Sequence, residues 1–235
     1  MAVNTINIKA IKVHPFASSG ELIDYVNRHP SILVAINAEK VVNADKELVD
    51  IINKNIGYCD GAGAVKALRR KGAIDATRIP GCELWLNIID RYHDSKSFYF
   101  IGGKPGIVDE VINKLKTTYP DLNVAGYRDG YIKDNAERQA LIDDIAERKP
   151  DVVFVAMGSP RQEFLMSMMQ QKHPAAIYQG LGGSFDVYSG HQKRAPKWWQ
   201  KHNLEFLYRF IITPSRIKRI WPYIKYALLL YSGRL

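Results

Sequence analysis

The chain is predicted to be an α/β protein: a mostly parallel sheet with helices on both faces, followed by a basic helical C-terminal appendage. Three observations predict it. Short β-branched runs such as DVVFVAM at 151–157 alternate with helix-length segments, the pattern of a parallel sheet with right-handed crossovers. Several of these runs end at asparagine or in glycine-containing turns. Charge is also segregated. Residues 190–235 hold ten Lys and Arg against one acid, Glu205, so this segment carries the whole formal charge of +9 and residues 1–189 are neutral.

In order, 31–36 (SILVAI) reads as a buried strand ending at Asn37, with a helix from Ala38 to about Asn53. Cys59-Asp60-Gly61-Ala62-Gly63 is a tight turn into a helix reaching Lys71, and another helix spans 83–93. A βαβ rhythm follows. Residues 98–101 form a strand, Gly102-Gly103-Lys104-Pro105 a turn with Pro105 suited to a first helical position, and the helix runs to about Thr118. Strands at 123–126, 151–157 and 176–180 are separated by helices at 135–148 and from Gly158-Ser159-Pro160 to about Lys172. Ligands of such sheets sit beyond the carboxyl ends of the strands, here Asn37, Gly102-Gly103, Gly158-Ser159 and the glycine loop 180–183. Within 190–235, residues 204–212 form a short helix, and Thr213 and Pro214 cap and start another. Along that last helix Ile217, Ile220, Trp221, Ile224, Leu228 and Tyr231 share one face, and Pro222 is placed to kink it.

A hydrophobic content of 46% suits a globular chain, and 235 residues suit one large domain or a domain with an appendage, divided here as 1–189 and 190–235. Two cysteines, Cys59 and Cys82, make no disulfide framework and no zinc motif, as expected of a reducing cytosol. The N-terminal residues have no signal-peptide pattern, and no run of about 18 apolar residues occurs, so membrane contact is expected to be peripheral. Three of the four tryptophans, Trp198, Trp199 and Trp221, lie in the basic segment. A cationic, aromatic end on a neutral body fits phosphates or an anionic membrane surface.

Several residues are candidates for chemistry, each with a plainer reading. Arg216 and Arg219 are helical neighbours near a helix start, and Arg209 precedes them; guanidinium forks match phosphate oxygens, although a solvated basic face has the same pattern. Asp60 at a helix start is either a general base or an N-cap. Gln162 and Glu163, in the first turn after a buried strand, can grip a sugar or a nucleotide, or simply supply first-turn polarity. Asp186 can bind a hydroxyl or close an Asx-turn. Neither GAGAVK nor GLGGSF completes G-x-G-x-x-G, which disfavours a dinucleotide oxidoreductase. No Walker loop and no Asp-X-Asp occurs, so a departing nucleotide diphosphate requires cationic side chains in place of a metal.

LVAINAEK at 33–40, Cys59-Asp60-Gly61, IGGKP at 101–105, VAMGSPRQE at 155–163, Phe185-Asp186, Arg194-Ala195-Pro196, LEFLYR at 204–209 and PSRIKR at 214–219 resemble the WecG/TagA/CpsF glycosyltransferases in order and spacing over most of the chain. The likeness is nearest to the branch that transfers N-acetyl-D-mannosaminuronic acid in enterobacterial common antigen synthesis. It implies a Rossmann-like body binding a UDP-sugar, an appendage touching both membrane and nucleotide, and an undecaprenyl-diphosphate-linked N-acetylglucosamine acceptor. By this resemblance the base is Asp60, the UDP-binding arginines are Arg209, Arg216 and Arg219, the motif glutamine is Gln162 and the strand-end asparagine is Asn37. Teichoic-acid members carry threonine where this chain has Ala35, a departure that weakens a UDP-N-acetylmannosamine assignment.

The expected enzyme is therefore an inverting, metal-independent hexosyltransferase without a cofactor. It would sit on the inner face of the plasma membrane, with homo-oligomerisation left open. Its expected site comprises Asp60 with Asn37, Gly102, Gly103, Gln162, Glu163, Asp186, Arg209, Arg216 and Arg219. Other donors, UDP-N-acetylmannosamine or UDP-glucose, are alternatives within the class. A nucleic-acid-binding protein is the rival outside it, disfavoured by the neutral body.

Overall fold

The computed structural model describes residues 4–202, 204–212 and 220–235. A short antiparallel hairpin, β1 (Ile6–Ile8) and β2 (Ile11–Val13), precedes helix α1 (Ser19–Arg28), which is capped by Ser18. The main sheet contains β3 (Ile32–Ile36), β4 (Ile56–Cys59), β5 (Ser97–Gly102), β6 (Asn123–Arg128), β7 (Val152–Ala156) and β8 (Ile177–Gly180) in the order β4-β3-β8-β7-β5-β6. All of its pairings are parallel, as the alternation of strands and helices predicts.

The helices divide between the faces according to the direction of each crossover. Helices α2 (Ala38–Asn43), α3 (Lys46–Lys54), α7 (Asn135–Arg148) and α8 (Arg161–Lys172) carry the chain toward the β4 edge. They bury Val41, Ile52, Ile145 and Met166 against one face, with Val34, Val153 and Tyr178. Helices α5 (Gly81–Tyr92) and α6 (Ile107–Thr118) carry it toward the β6 edge and bury Trp85, Ile88, Val111 and Leu115 against the other face, with Phe98, Phe100 and Phe154. Opposite directions on opposite faces is what right-handed crossovers require. The connection leaving β5 and the one leaving β7 therefore part to opposite faces, which opens a crevice at their carboxyl ends. The same divergence occurs between β3 and β8, because the segment after β8 enters α9 (Ser184–Ser189), whose Phe185 is buried with Trp85.

Several local expectations are corrected. The predicted helix over 38–53 is two helices, broken at Ala44 because Asp45 turns its carboxylate back to cap α3 through the Leu48 amide at 2.8 Å. Pro105 does not start α6: the helix begins at Ile107, and its N-cap Gly106 is left-handed at φ 87°. The stretch before Asp60 is strand β4, not only a turn. Its Gly57 lets the Lys12 carbonyl approach so closely that a Cβ there would lie 2.7 Å from it. The glycine loop after β8 closes within four residues into α9.

The C-terminal residues form α10 (Lys197–Lys201), α11 (Glu205–Ile212) and α12 (Ile220–Tyr231). Helix α4 (Ala62–Arg70), which follows Asp60, receives α12: Tyr226 and Leu230 are buried, and the Tyr226 hydroxyl donates to the Gly63 carbonyl at 2.9 Å. A side chain at 63 would meet the Tyr226 ring at 2.9 Å, so glycine is what lets the helices approach here. The predicted shared face of this helix is turned outward: Trp221, Leu228 and Tyr231 are about two-thirds exposed and Ile224 is also exposed, while Ile217 lies outside the described residues. Pro222 lies in the first turn of the described helix, and Thr213 and Pro214 lie outside the described residues. No helix among the described residues is long and apolar enough to cross a membrane.

Candidate active site

Asp60 follows the last residue of β4, at the carboxyl rim of the sheet, and its amide donates to the Ile36 carbonyl of β3 at 3.1 Å. It is not the N-cap of α4. That position is Gly61, which makes no side-chain cap bond. Instead the Asp60 Oδ1 accepts the Gly81 amide, 2.8 Å away, at the start of α5. The positive end of α5 thus faces the carboxylate. Arg78, in the loop before α5, donates from Nε to the Asp60 carbonyl at 2.8 Å and pairs with the buried Glu205 of α11 at 3.4 Å.

The Asp60 charge is felt by its neighbours. Burial, then the negative charge of Asp60, pushes the Cys59 thiol up to about 12. Burial pushes Cys82 up to about 11. The Tyr58 hydroxyl is raised well above its usual range by the same two causes, burial first and Asp60 second. Neither cysteine has the thiolate character of a nucleophile at neutral pH. Asp60 is the acid–base candidate at this end of the rim.

Asn37 lies beside Asp60, at the end of β3. Its side chain caps α2 by accepting the Lys40 amide at 2.9 Å, and its Cα and Cβ approach Gly61. Gln162 and Glu163 are buried and held by the protein itself. The Gln162 Oε1 accepts the Gly182 amide at 2.9 Å, and its Nε2 donates to Glu163 at 3.3 Å. Glu163 pairs with the buried Lys40 of α2 at 2.5 Å. Removing one partner of such a pair leaves a charge stranded in the interior, a cost of about 3–5 kcal/mol. These residues tie α2, α8 and the turn after β8 into one support.

Gly102 and Gly103 stand apart from this group. Between β4 and β5 lie four strand spacings, about 19 Å along the rim. Gly102 takes φ 137°, and a Cβ there would collide with the Ala156 backbone of β7, so glycine is required by strand packing. Beyond this turn a cleft of about 830 Å³ is lined by Lys104, Arg128, Tyr131 and Lys133 with Asp129 and Glu137. Asp186 lies in the first turn of α9, half-buried, between the two ends of the rim. Arg209 belongs to α11; its side chain, Arg216 and Arg219 lie outside the described residues. Among the described residues no cluster of three or more His, Cys, Asp or Glu is placed to hold a metal ion.

The structure thus brings together Asn37, Asp60, Gln162 and Glu163 and sets Gly102-Gly103 at the far end of one continuous rim. Sequence reasoning missed Arg78, an isolated arginine in a loop with no motif around it, and passed over Lys40, which stands inside the quoted LVAINAEK. It also missed that Arg194 pairs with Glu83 of α5 at 2.5 Å and, at 3.9 Å, with Glu205.

A comparison with known protein families shows where the chain belongs. The model of the glycosyl transferase WecG/TagA/CpsF family matches residues 4–235, nearly the whole chain. The chain belongs to the WecG/TagA/CpsF family and is a glycosyltransferase.

Proposed function

We propose that the enzyme transfers N-acetylmannosaminuronic acid from its UDP-sugar to undecaprenyl-diphosphate-linked N-acetylglucosamine, with inversion, in surface polysaccharide synthesis. One observation carries the reading: the Asp60 carboxylate, 2.8 Å from the first amide of α5, stands at the rim of a parallel sheet in a chain of this family. UDP lies toward the crevice between β5 and β7, against Gly102 and Gly103, and the sugar extends along the rim toward Asp60. Asp60 takes the proton from the acceptor 4-hydroxyl. That oxygen forms the new bond to the anomeric carbon from the face opposite UDP, and the bond to the diphosphate oxygen breaks.

Arg209, Arg216 and Arg219 stabilise the charge that develops on the departing UDP, in the role a divalent ion would otherwise fill. Asp186 takes a donor hydroxyl. Asn37 offers its amide to the sugar, and Gln162 and Glu163 bear on it by fixing the turn over 180–183. The outward face of α12 rests in the interface of the inner leaflet, which makes the enzyme peripheral.

The test is Asp60→Asn, which keeps the shape and the Gly81 contact while removing the base. Turnover with UDP-N-acetylmannosaminuronic acid and a short-chain diphospholipid-linked acceptor is expected to fall at least a hundredfold, with UDP binding and thermal unfolding retained. Near-normal turnover would remove Asp60 from this role. A panel of UDP-sugars in the same assay, read by product mass, separates this donor from UDP-N-acetylmannosamine and UDP-glucose.

A further inference from the structure

A second recess, of about 590 Å³, opens along α4, the helix that follows Asp60 and β4. It is lined by Ala62, Val65, Lys66, Arg69 and Arg70 of α4, by Thr77 and by Arg78, whose Nε holds the Asp60 carbonyl. Four of the lining side chains are cationic and none is acidic. Lys66, Arg69 and Arg70 stand at i, i+3 and i+4 on one helical face, where like charges repel. Compensation of the helix's negative end accounts for Arg69 and Arg70 in the last turn. It does not account for Lys66, a turn earlier; Arg78, which arrives from another segment, is already paired with Glu205.

The contacts of the three α4 cations are with neutral oxygens. Lys66 donates to the Tyr231 hydroxyl at 2.6 Å, Arg69 to the Ala76 carbonyl at 3.0 Å and Arg70 to the Leu230 carbonyl at 2.5 Å. Their charge is therefore available to a ligand. Two of these contacts bind the recess to α12: Lys66 and Arg70 lie 4.7 and 4.9 Å from the centre of the Tyr231 ring, the last member of the exposed apolar ladder Trp221, Ile224, Leu228 and Tyr231. Along α4, Arg69 lies about 10 Å from Ala62, and Ala62 is two residues from Asp60.

An apolar ladder, then a cationic recess, then a carboxylate is the order of parts in an amphiphile whose chain is hydrocarbon, whose linker is anionic and whose head is a sugar. We infer that this recess binds the diphosphate of the lipid-linked acceptor, with the hydrocarbon chain leaving along α12 and the sugar directed at Asp60. The inference rests on the transfer reaction proposed above.

The probe is geranyl diphosphate, titrated calorimetrically into the full chain and into Lys66→Gln and Arg69→Gln separately, with UDP as the control ligand. Expected is binding to the wild type that UDP does not displace. It should weaken tenfold or more in each variant, while UDP affinity and thermal unfolding stay unchanged. Absence of binding to the wild type, wild-type affinity retained in both variants or displacement by UDP would overturn the inference. So would variants that keep geranyl diphosphate but lose phosphatidylglycerol vesicles, because the recess would then serve membrane headgroups. The transfer reading fails on a different result: a chain that does not bind UDP, or an active Asp60→Asn.

Discussion

At Asp60 a single residue ties a strand end to the start of α5 and to Arg78. Its backbone bonds to β3, its carboxylate faces the start of α5, and its carbonyl holds Arg78. The same charge reaches Cys59, whose thiol burial and Asp60 push up to about 12. An acid raised in this way keeps its proton longer in the folded chain than in the unfolded one. Between pH about 9 and 12 the native state therefore binds more protons, and stability falls as pH rises. Cys82, raised to about 11, acts in the same direction. Unfolding free energies from urea titrations across this window are expected to decline by up to about 1.4 kcal/mol per pH unit for each thiol, more shallowly in Cys59→Ala. Identical slopes in the two proteins would show that this thiol is not coupled to folding.

Helix α12 has two apolar faces with different duties. Tyr226 and Leu230 point inward and dock it on α2 and α4, so Tyr226→Ala would remove packing of about 3–5 kcal/mol. On the opposite face Trp221 and Leu228 are about 70% exposed, and its contact with α4 comes from Tyr231. The double substitution Trp221→Ser with Leu228→Ser is therefore expected to leave thermal unfolding within about 2 °C of wild type. It should lower binding to phosphatidylglycerol vesicles at least tenfold, since each large apolar side chain is worth about 1.5–3 kcal/mol when buried. Unchanged vesicle binding would take the membrane role away from this helix. Helical periodicity made the ladder legible in the sequence; which of two apolar faces meets the protein depended on Gly63, a residue about 160 positions earlier.

Over the whole molecule, charge separation is the dominant feature. The body is neutral and residues 190–235 carry the net +9. Such an end can take over the electrostatic work of a divalent ion at a departing diphosphate. Transfer is accordingly expected to persist within about twofold after treatment with excess EDTA, measured as initial rate with UDP-sugar and acceptor. Strict restoration by Mg²⁺ or Mn²⁺ would overturn the arginine reading. The ion pairs Arg78–Glu205 and Arg194–Glu83 show how the basic segment is fastened to the body: its one acid, Glu205, is spent on a body arginine.

The α/β class, the strands β3, β5, β6, β7 and β8, the helices between them and the cationic end are all visible in the sequence, because periodicity, glycine turns and charge are local properties. The hairpin β1–β2 and strand β4 were not, since the hairpin strands are only three residues each and β4 is a short run interrupted by Gly57. The sequence also left open whether Asp60 capped a helix. Only the folded chain places Gly81, 21 residues away, against its carboxylate, and Arg78 and α4 around it. Strand order alone decides that Asp60 and Gly102 lie at opposite ends of one rim, because distance across a sheet depends on the sequence of crossovers and not on separation along the chain.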